Sequence, residues 1–171
     1  VDRAAIEKYW NNLPDYLNGA DCKMMCVVDT SGSMTGSEAS APLNVAISLG
    51  MYCAERIGGP FKNHYISFSS RPQLIKVEGV DFVDKVRRIY KTNLCSNTNI
   101  EATFDLLLNI ATDPATKAED IPETIVIISD MQIDSMAYGW TERNAGTEME
   151  RIRVKWEAAG VKCPKLVYWN V

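Results

Sequence analysis

Two short segments of this sequence are apolar almost throughout, and each ends in an aspartate. The first is KMMCVVD, which ends at Asp29, and the second is ETIVIISD, which ends at Asp130. A short, continuous apolar run of this kind is typical of a strand that is buried on both faces, as in a parallel sheet covered by helices. Such sheets are built from strands that alternate with helices, so these two segments predict an α/β fold.

The rest of the sequence supplies further helices and strands in alternation. Apolar positions at helical intervals predict helices over residues 2–13, 40–57 and 100–111, and a fourth helix that Asp81 caps. A fifth helix is predicted to begin at a capping box at residues 147–150 and to extend to about residue 159. The extended segments are HYISFSS and QLIKV, joined as a hairpin through Arg71 and Pro72, and KLVYWNV at the end. The predicted fold is therefore a doubly wound, Rossmann-like, mostly parallel sheet with one antiparallel edge strand.

The chain is predicted to contain one domain preceded by a leading helix. The 171 residues suffice for one hydrophobic core. Residues 1–19 carry the first helix, which we expect to lead in from an upstream region. Residues 20–171 are expected to form the domain itself.

Composition and charge argue against several classes of function. The net charge of −4 disfavours nucleic-acid binding by the domain itself, because phosphate binding requires clustered Lys and Arg. The sequence has no apolar run of the length of about 18 residues that a membrane helix needs, so no membrane partner is expected. The single histidine, His64, argues against a site with several histidines. The five cysteines form no Cys-x-x-Cys motif and indicate free thiols in a reducing compartment, which predicts an intracellular, cytoplasmic location.

Polar side chains follow both apolar strands and one of the loops between them. Asp29 is followed by Ser31 and Ser33, Thr98 lies in the loop before the helix at residue 100, and Asp130 ends the second apolar strand. Ligands of a doubly wound sheet bind beyond the carboxyl ends of its strands, so we expect these five side chains to share one edge. Carboxylate and hydroxyl oxygens are the ligands that hard divalent cations prefer. The sequence therefore predicts a site for Mg²⁺ (or Mn²⁺) at this edge.

Other interpretations of the segment VVDTSGSMTG fit less well or stay open. A nucleophile elbow requires Gly-x-Ser-x-Gly and a phosphate-binding P-loop requires a lysine, and the segment has neither. Phosphatases of the haloacid-dehalogenase type usually carry a second aspartate where this chain has Ser31, yet metal-dependent phosphate-ester hydrolysis by Asp29 stays an alternative. A turn whose side chains cap the following helix is the simplest alternative.

The pattern Asp29-x-Ser31-x-Ser33, Thr98 and Asp130 resembles the metal-ion-dependent adhesion site of von Willebrand factor A domains. The order of strands and helices is similar over most of the chain. The resemblance implies that the two serines and the threonine bind the metal directly and that the two aspartates act through water. It also implies a non-enzymatic binding module, in which the sixth metal position takes an acidic group of a protein partner.

The sequence departs from that family at two points near the site. Ser96 and Asn97 precede the threonine, where the family often has two glycines. Met131 follows the aspartate Asp130, where the family often has a glycine. The resemblance also implies that the chain is truncated at its carboxyl-terminal end, one strand and one helix before the end of a usual A domain.

A second resemblance lies in the segments YISFSSRPQLIKVEG, NTNIEATFDLLL, SDMQID and LVYWNV. They are similar to the C-terminal part of a family of eukaryotic and large-virus proteins that pair a helical N-terminal region with a von Willebrand A-like domain. That arrangement is similar to the one in the Ro ribonucleoprotein, where a helical ring binds RNA beside the A-like domain. The resemblance implies RNA contact only through an N-terminal region outside this chain, and it gives an alternative function as the structural partner domain of a ribonucleoprotein.

Overall fold

A five-stranded sheet forms the centre of the computed structural model, which describes residues 2–17, 23–92, 99–131 and 142–171, with side chains in the last segment from Gly146 onward. The strands are β1 (Met24–Asp29), β2 (His64–Phe68), β3 (Gln73–Lys76), β4 (Thr124–Ser129) and β5 (Lys165–Asn170). Their order in the sheet is β3-β2-β1-β4-β5. Only the β2–β3 pair is antiparallel among these described strands, and the β1–β2, β1–β4 and β4–β5 pairs are parallel. The predicted α/β fold with one antiparallel edge strand is confirmed.

Four helices lie where the sequence predicts them. They are α1 (Arg3–Asn11), α2 (Pro42–Arg56), α3 (Phe82–Thr92) and α4 (Ile100–Ala111). As expected, Asp81 caps α3, since its Oδ1 accepts a hydrogen bond from the backbone N–H of Asp84 at 2.8 Å. In the part of the chain that the structure describes, no helix combines the length and apolar character that a membrane span requires.

The predicted start of the fifth helix is wrong. This helix, α5 (Glu142–Ala158), begins before Thr147, so the expected capping box lies inside the helix. A Ser/Thr-x-x-Glu pattern is short and is compatible with a helix interior as well as with a helix start. Gly146, which precedes it, is tolerated within the helix because a mid-helix glycine costs only about 1 kcal/mol relative to alanine.

Helices cover both faces of the sheet and create two apolar clusters. The cluster on the face of α1, α2 and α3 includes Cys26, Val28, Ala46, Met51 and Ile89. The cluster on the face of α4 and α5 includes Met25, Val27, Phe104, Ile152 and Trp156. Consecutive residues of β1 alternate between the two clusters, because side chains alternate between the faces of a strand. This double burial explains why β1 and β4 are apolar throughout.

The leading helix α1 packs onto the domain through polar and aromatic contacts. Trp10 is buried and donates from Nε1 to Oε2 of Glu55 at 2.8 Å, while Lys85 donates to Oε1 of the same carboxylate at 2.6 Å. Arg3 forms an ion pair with Asp81 at 2.6 Å. Residues 3–11 therefore contact both α2 and α3, and the expected division after residue 19 stays a prediction.

Candidate functional site

The carboxyl ends of β1 and β4 bring together four of the five side chains that the sequence predicts as a site. The two strands are parallel neighbours, with Val28 paired to Ile128, so Asp29 and Asp130 lie at the same edge of the sheet. Ser31 and Ser33 follow β1 at this edge. Thr98 lies outside the described residues.

Hydrogen bonds connect these side chains across the two strands. The hydroxyl oxygens of Ser31 and Ser33 lie 3.1 Å apart, and Ser33 donates from Oγ to Oδ1 of Asp130 at 3.3 Å. The backbone N–H of Asp130 also contacts the sulfur of the buried Met34 at 3.2 Å. Residues 97 positions apart in sequence therefore share one polar cluster.

A short 3-10 turn places Ser33 in this cluster. The turn, Gly32–Met34, begins three residues after the end of β1 and is closed by a hydrogen bond from the N–H of Met34 to the carbonyl oxygen of Ser31 at 3.1 Å. Met34 is wholly buried and anchors the turn in the apolar core below the edge. The turn therefore holds the Ser33 hydroxyl above the core, on the exposed side.

Asp29 is the most deeply buried member of the cluster. It is wholly buried, and its two carboxylate oxygens accept separate hydrogen bonds. Oδ1 accepts from the backbone N–H of Ser31 at 2.8 Å, and Oδ2 accepts from the hydroxyl of Ser129 at 2.5 Å. Both bonds fix the orientation of the carboxylate relative to the serines that follow it.

Sequence reasoning missed Ser129, although a signal was present. Ser129 is the last residue of β4 and is wholly buried. A single hydroxyl at the end of an otherwise apolar run is a polar group that must find a buried partner. The candidate partners of such a group lie on the neighbouring strand, and the order of the strands is not visible in the sequence.

The buried charge of Asp29 has no cationic side chain beside it in the described part of the chain, where no ion pair within 4.0 Å involves Asp29. A buried carboxylate is costly unless it is paired or binds a metal. Among the described residues this carboxylate is therefore held by hydrogen bonds from Ser31 and Ser129 and not by an ion pair.

The oxygen atoms of the cluster fit a hard cation in type and in spacing. Two neighbouring ligands of an octahedral Mg²⁺ with bonds of about 2.0–2.1 Å lie about 2.9 Å apart. The hydroxyl oxygens of Ser31 and Ser33 are separated by 3.1 Å, close to that value. Thr30, which lies between Asp29 and Ser31 in sequence, has a buried hydroxyl with no hydrogen-bond partner among the described residues. The cluster is thus rich in the oxygen ligands that a hard cation prefers.

The alternative of a simple helix cap fits the structure only in part. Asp29 does form a local turn through the N–H of Ser31. However, α2 begins at Pro42, its N-cap residue is Ala41, and no side chain caps it. The serines after β1 therefore do not cap the helix that follows them.

Met131 adopts an unusual backbone conformation beside the site. Its φ angle is 62°, in the left-handed region that residues other than glycine rarely adopt. This is the position at which the sequence carries methionine where von Willebrand A domains often carry glycine. The backbone at Met131 therefore takes the conformation that glycine favours, despite the different side chain.

Comparisons with known proteins place these observations in context. The model of a family described as "Domain of unknown function (DUF7788)" matches residues 23–171. "Uncharacterized protein L728" of Acanthamoeba polyphaga mimivirus is 30% identical over 168 residues, which cover 97% of this chain and 28% of that protein. The predicted similarity to a large-virus protein is thus confirmed.

A solved structure has a similar fold. The crystal structure of the Deinococcus radiodurans RO (RSR) protein matches with a TM-score of 0.51 and 15% identity, over 93% of this chain and 28% of that one. At this identity the likeness concerns the fold, and it confirms the predicted likeness to Ro at that level. The chain spans little more than a quarter of the length of both proteins.

Proposed function

The chain belongs to the family described as "Domain of unknown function (DUF7788)", and from this premise we propose that its domain is a metal-ion-dependent protein-binding module of a larger intracellular protein. The observation that carries the proposal is the wholly buried Asp29 carboxylate, which is linked to Ser31 and lies at the same edge as Ser33 and Asp130, without a cationic side chain beside it in the described residues.

In this proposal each residue of the cluster has a separate role. Ser31, Ser33 and Thr98 bind Mg²⁺ (or Mn²⁺) directly, and Asp29 and Asp130 stand behind them through water. The hydrogen bonds of Asp29 support this division, because both of its oxygens already accept a bond from the protein. Asp130 likewise accepts from Ser33. The bound metal would supply a positive charge at the sheet edge.

The proposed partner presents an acidic group. Neutral hydroxyls as direct ligands leave a divalent ion with most of its positive charge, so the ion favours an anionic oxygen at its remaining position. The chain spans 28% of its mimivirus relative, which supports a role as one module of a larger protein.

We further propose that the domain is not an enzyme. Asp29, the residue that a metal-dependent phosphohydrolase would use as nucleophile, is wholly buried and hydrogen-bonded through both oxygens. A nucleophile must reach its substrate, and a wholly buried carboxylate is closed to one. Ser31 also occupies the position at which such phosphatases usually carry a second aspartate.

Metal binding is expected to stabilise the domain. A ligand that binds only the folded state adds about 1.4 kcal/mol at ten times its dissociation constant. For a chain of this size that free energy raises the melting temperature by about 3–6 °C. The measurement is a thermal unfolding curve in EDTA, and in Mg²⁺ or Mn²⁺ at matched ionic strength. An unchanged melting temperature at millimolar concentrations of both metals would contradict the proposal.

The acidic group is tested with the same protein and short peptides as probes. A peptide with one central aspartate should bind in Mn²⁺ and not in EDTA, and the peptide with asparagine in its place should not bind in either buffer. If the peptide binds equally well in Mn²⁺ and in EDTA, its binding does not depend on the metal, and the proposed role of the acidic group is refuted.

A second candidate function is supported by the fold shared with the RO (RSR) protein. In this second function, the domain is the structural partner of an RNA-binding region elsewhere in the full-length protein. The net charge of −4 favours RNA contacts outside this domain. In a gel-shift assay, the full-length protein should retard structured RNA and the isolated domain should not. Retardation by the domain alone would refute this division.

A further inference from the structure

We propose that Ser129 is a positioning residue that orients Asp29 for metal binding, an inference that rests on the function proposed above. Ser129 closes β4, lies beside Asp29 of β1 and is wholly buried. Its hydroxyl donates to Oδ2 of Asp29 at 2.5 Å. Hydrogen bonds from a hydroxyl to an ionised oxygen have about this length and are stronger than those between neutral groups.

The direction of this hydrogen bond is set by a third group. The backbone N–H of Met131 donates to Oγ of Ser129 at 3.0 Å. A serine hydroxyl has one proton to donate, so with its oxygen accepting from Met131 its proton points to Asp29. The two hydrogen bonds therefore run in one direction: Met131 donates to Ser129, and Ser129 donates to Asp29.

The backbone of Met131 supports this arrangement. The left-handed φ angle of 62° belongs to the turn in which the N–H of Met131 bonds to the side chain two residues earlier. Met131 is 39% exposed, so this conformation lies at the surface, next to the buried Ser129. Strained backbone of this kind persists where the surrounding structure requires it, and it is common at binding sites.

The orientation of Asp29, a proposed metal-site residue, thus depends on one buried hydroxyl. Ser129 contacts Asp29 in space and directly precedes Asp130, the second acidic residue of the proposed site, in sequence. Without its hydroxyl, Oδ2 of Asp29 loses its hydrogen-bond donor and the carboxylate is held only through Oδ1. Residues that orient metal-binding groups in this way typically change metal affinity by about 10- to 100-fold when they are mutated.

The test compares variants of Ser129 that differ in the hydroxyl. The dissociation constant for Mn²⁺ is measured from the signal of free Mn²⁺ in electron paramagnetic resonance, with folding checked by circular dichroism. Ser129→Ala and Ser129→Val should bind Mn²⁺ about 10- to 100-fold more weakly than wild type. Ser129→Thr, which has the shape of valine but keeps the hydroxyl, should bind almost as tightly as wild type.

A control separates positioning from stability. Ser67 is also a wholly buried serine on a neighbour of β1, but its hydroxyl bonds to the backbone of Gln73. Ser67→Ala should lower the melting temperature and leave the Mn²⁺ dissociation constant unchanged.

Each remaining outcome decides between the two proposals. If wild type binds no Mn²⁺, the proposed function itself fails. If wild type binds and Ser129→Ala or Ser129→Val binds equally well, or if Ser129→Thr binds as weakly as Ser129→Val, only the role of Ser129 is overturned. If only the hydroxyl-bearing variants fold, Ser129 acts in folding and the inference is likewise overturned.

Discussion

Asp29→Ala is expected to remove the response to Mg²⁺ and Mn²⁺ and to lower the free energy of unfolding of the metal-free domain by about 2–4 kcal/mol. The metal response disappears because one of the two negative charges that stand behind the metal in the proposed site is lost. The loss of stability has a separate cause: the N–H of Ser31 and the buried hydroxyl of Ser129 both lose their acceptor. Urea unfolding in EDTA measures the second effect without the first.

Asp29→Asn is the matched variant that separates these effects. Asparagine has nearly the same shape and removes the buried charge, which is a stabilising contribution when no cation is present. It also accepts from one of the two donors only, so one buried donor is left unpaired. These opposing effects place its stability in EDTA within about 1 kcal/mol of wild type. If the melting temperature of Asp29→Asn rises with Mg²⁺ or Mn²⁺ as much as that of wild type, the Asp29 charge is not part of the site.

Gly50→Val is expected to destabilise the domain by about 3 kcal/mol, because α2 lies too close to β1 for a side chain at this position. A Cβ atom built on Gly50 would lie 2.5 Å from Cγ2 of Val28, well inside van der Waals contact. Val28 is buried in the central strand, so a shift of its side chain would disturb the packing around it. Gly50→Ala should cost less, since alanine adds a single carbon and gains about 1 kcal/mol in helix propensity.

Two further variants test whether this contact is the cause. Val28→Ala removes the methyl groups that the new Cβ meets, so the double variant Gly50→Ala/Val28→Ala should lose less stability than the sum of the two single variants. Gly146→Ala in α5, where an added Cβ meets nothing within 4 Å, should instead raise stability by up to about 1 kcal/mol. If the double variant loses as much stability as the sum of the two single variants, the contact with Val28 is not the cause of the loss in Gly50→Ala.

The close approach at Gly50 also matters for the candidate site. The segment between β1 and α2 carries Ser31 and Ser33, and its two ends are fixed by the packing of α2 on β1. A helix displaced from the sheet would move one end of this segment. Gly50→Ala is therefore expected to change metal binding only to the extent that the helix shifts.

The local pattern of the sequence determined the fold class and the positions of most elements. The apolar runs of β1 and β4 predicted strands buried on both faces, and the helices α2 and α4 lie within two residues of the predicted bounds. These features depend on residues that are neighbours in sequence, through side-chain period and backbone preference. The start of α5 was missed for the same reason: the pattern at residues 147–150 is local and fits a helix start and a helix interior equally well.

The sequence also determined which polar residues stand at the ends of the strands, because parallel strands place their carboxyl ends at one edge. Only the tertiary structure decided which of them are in contact. The strand order puts β4 beside β1, and this order brings Ser129 to Asp29 and Ser33 to Asp130 across about a hundred residues of chain. It also decided that a side chain at position 50 would meet Val28 and require a shift. Contacts at that separation depend on how the elements pack, which no local pattern of residues encodes.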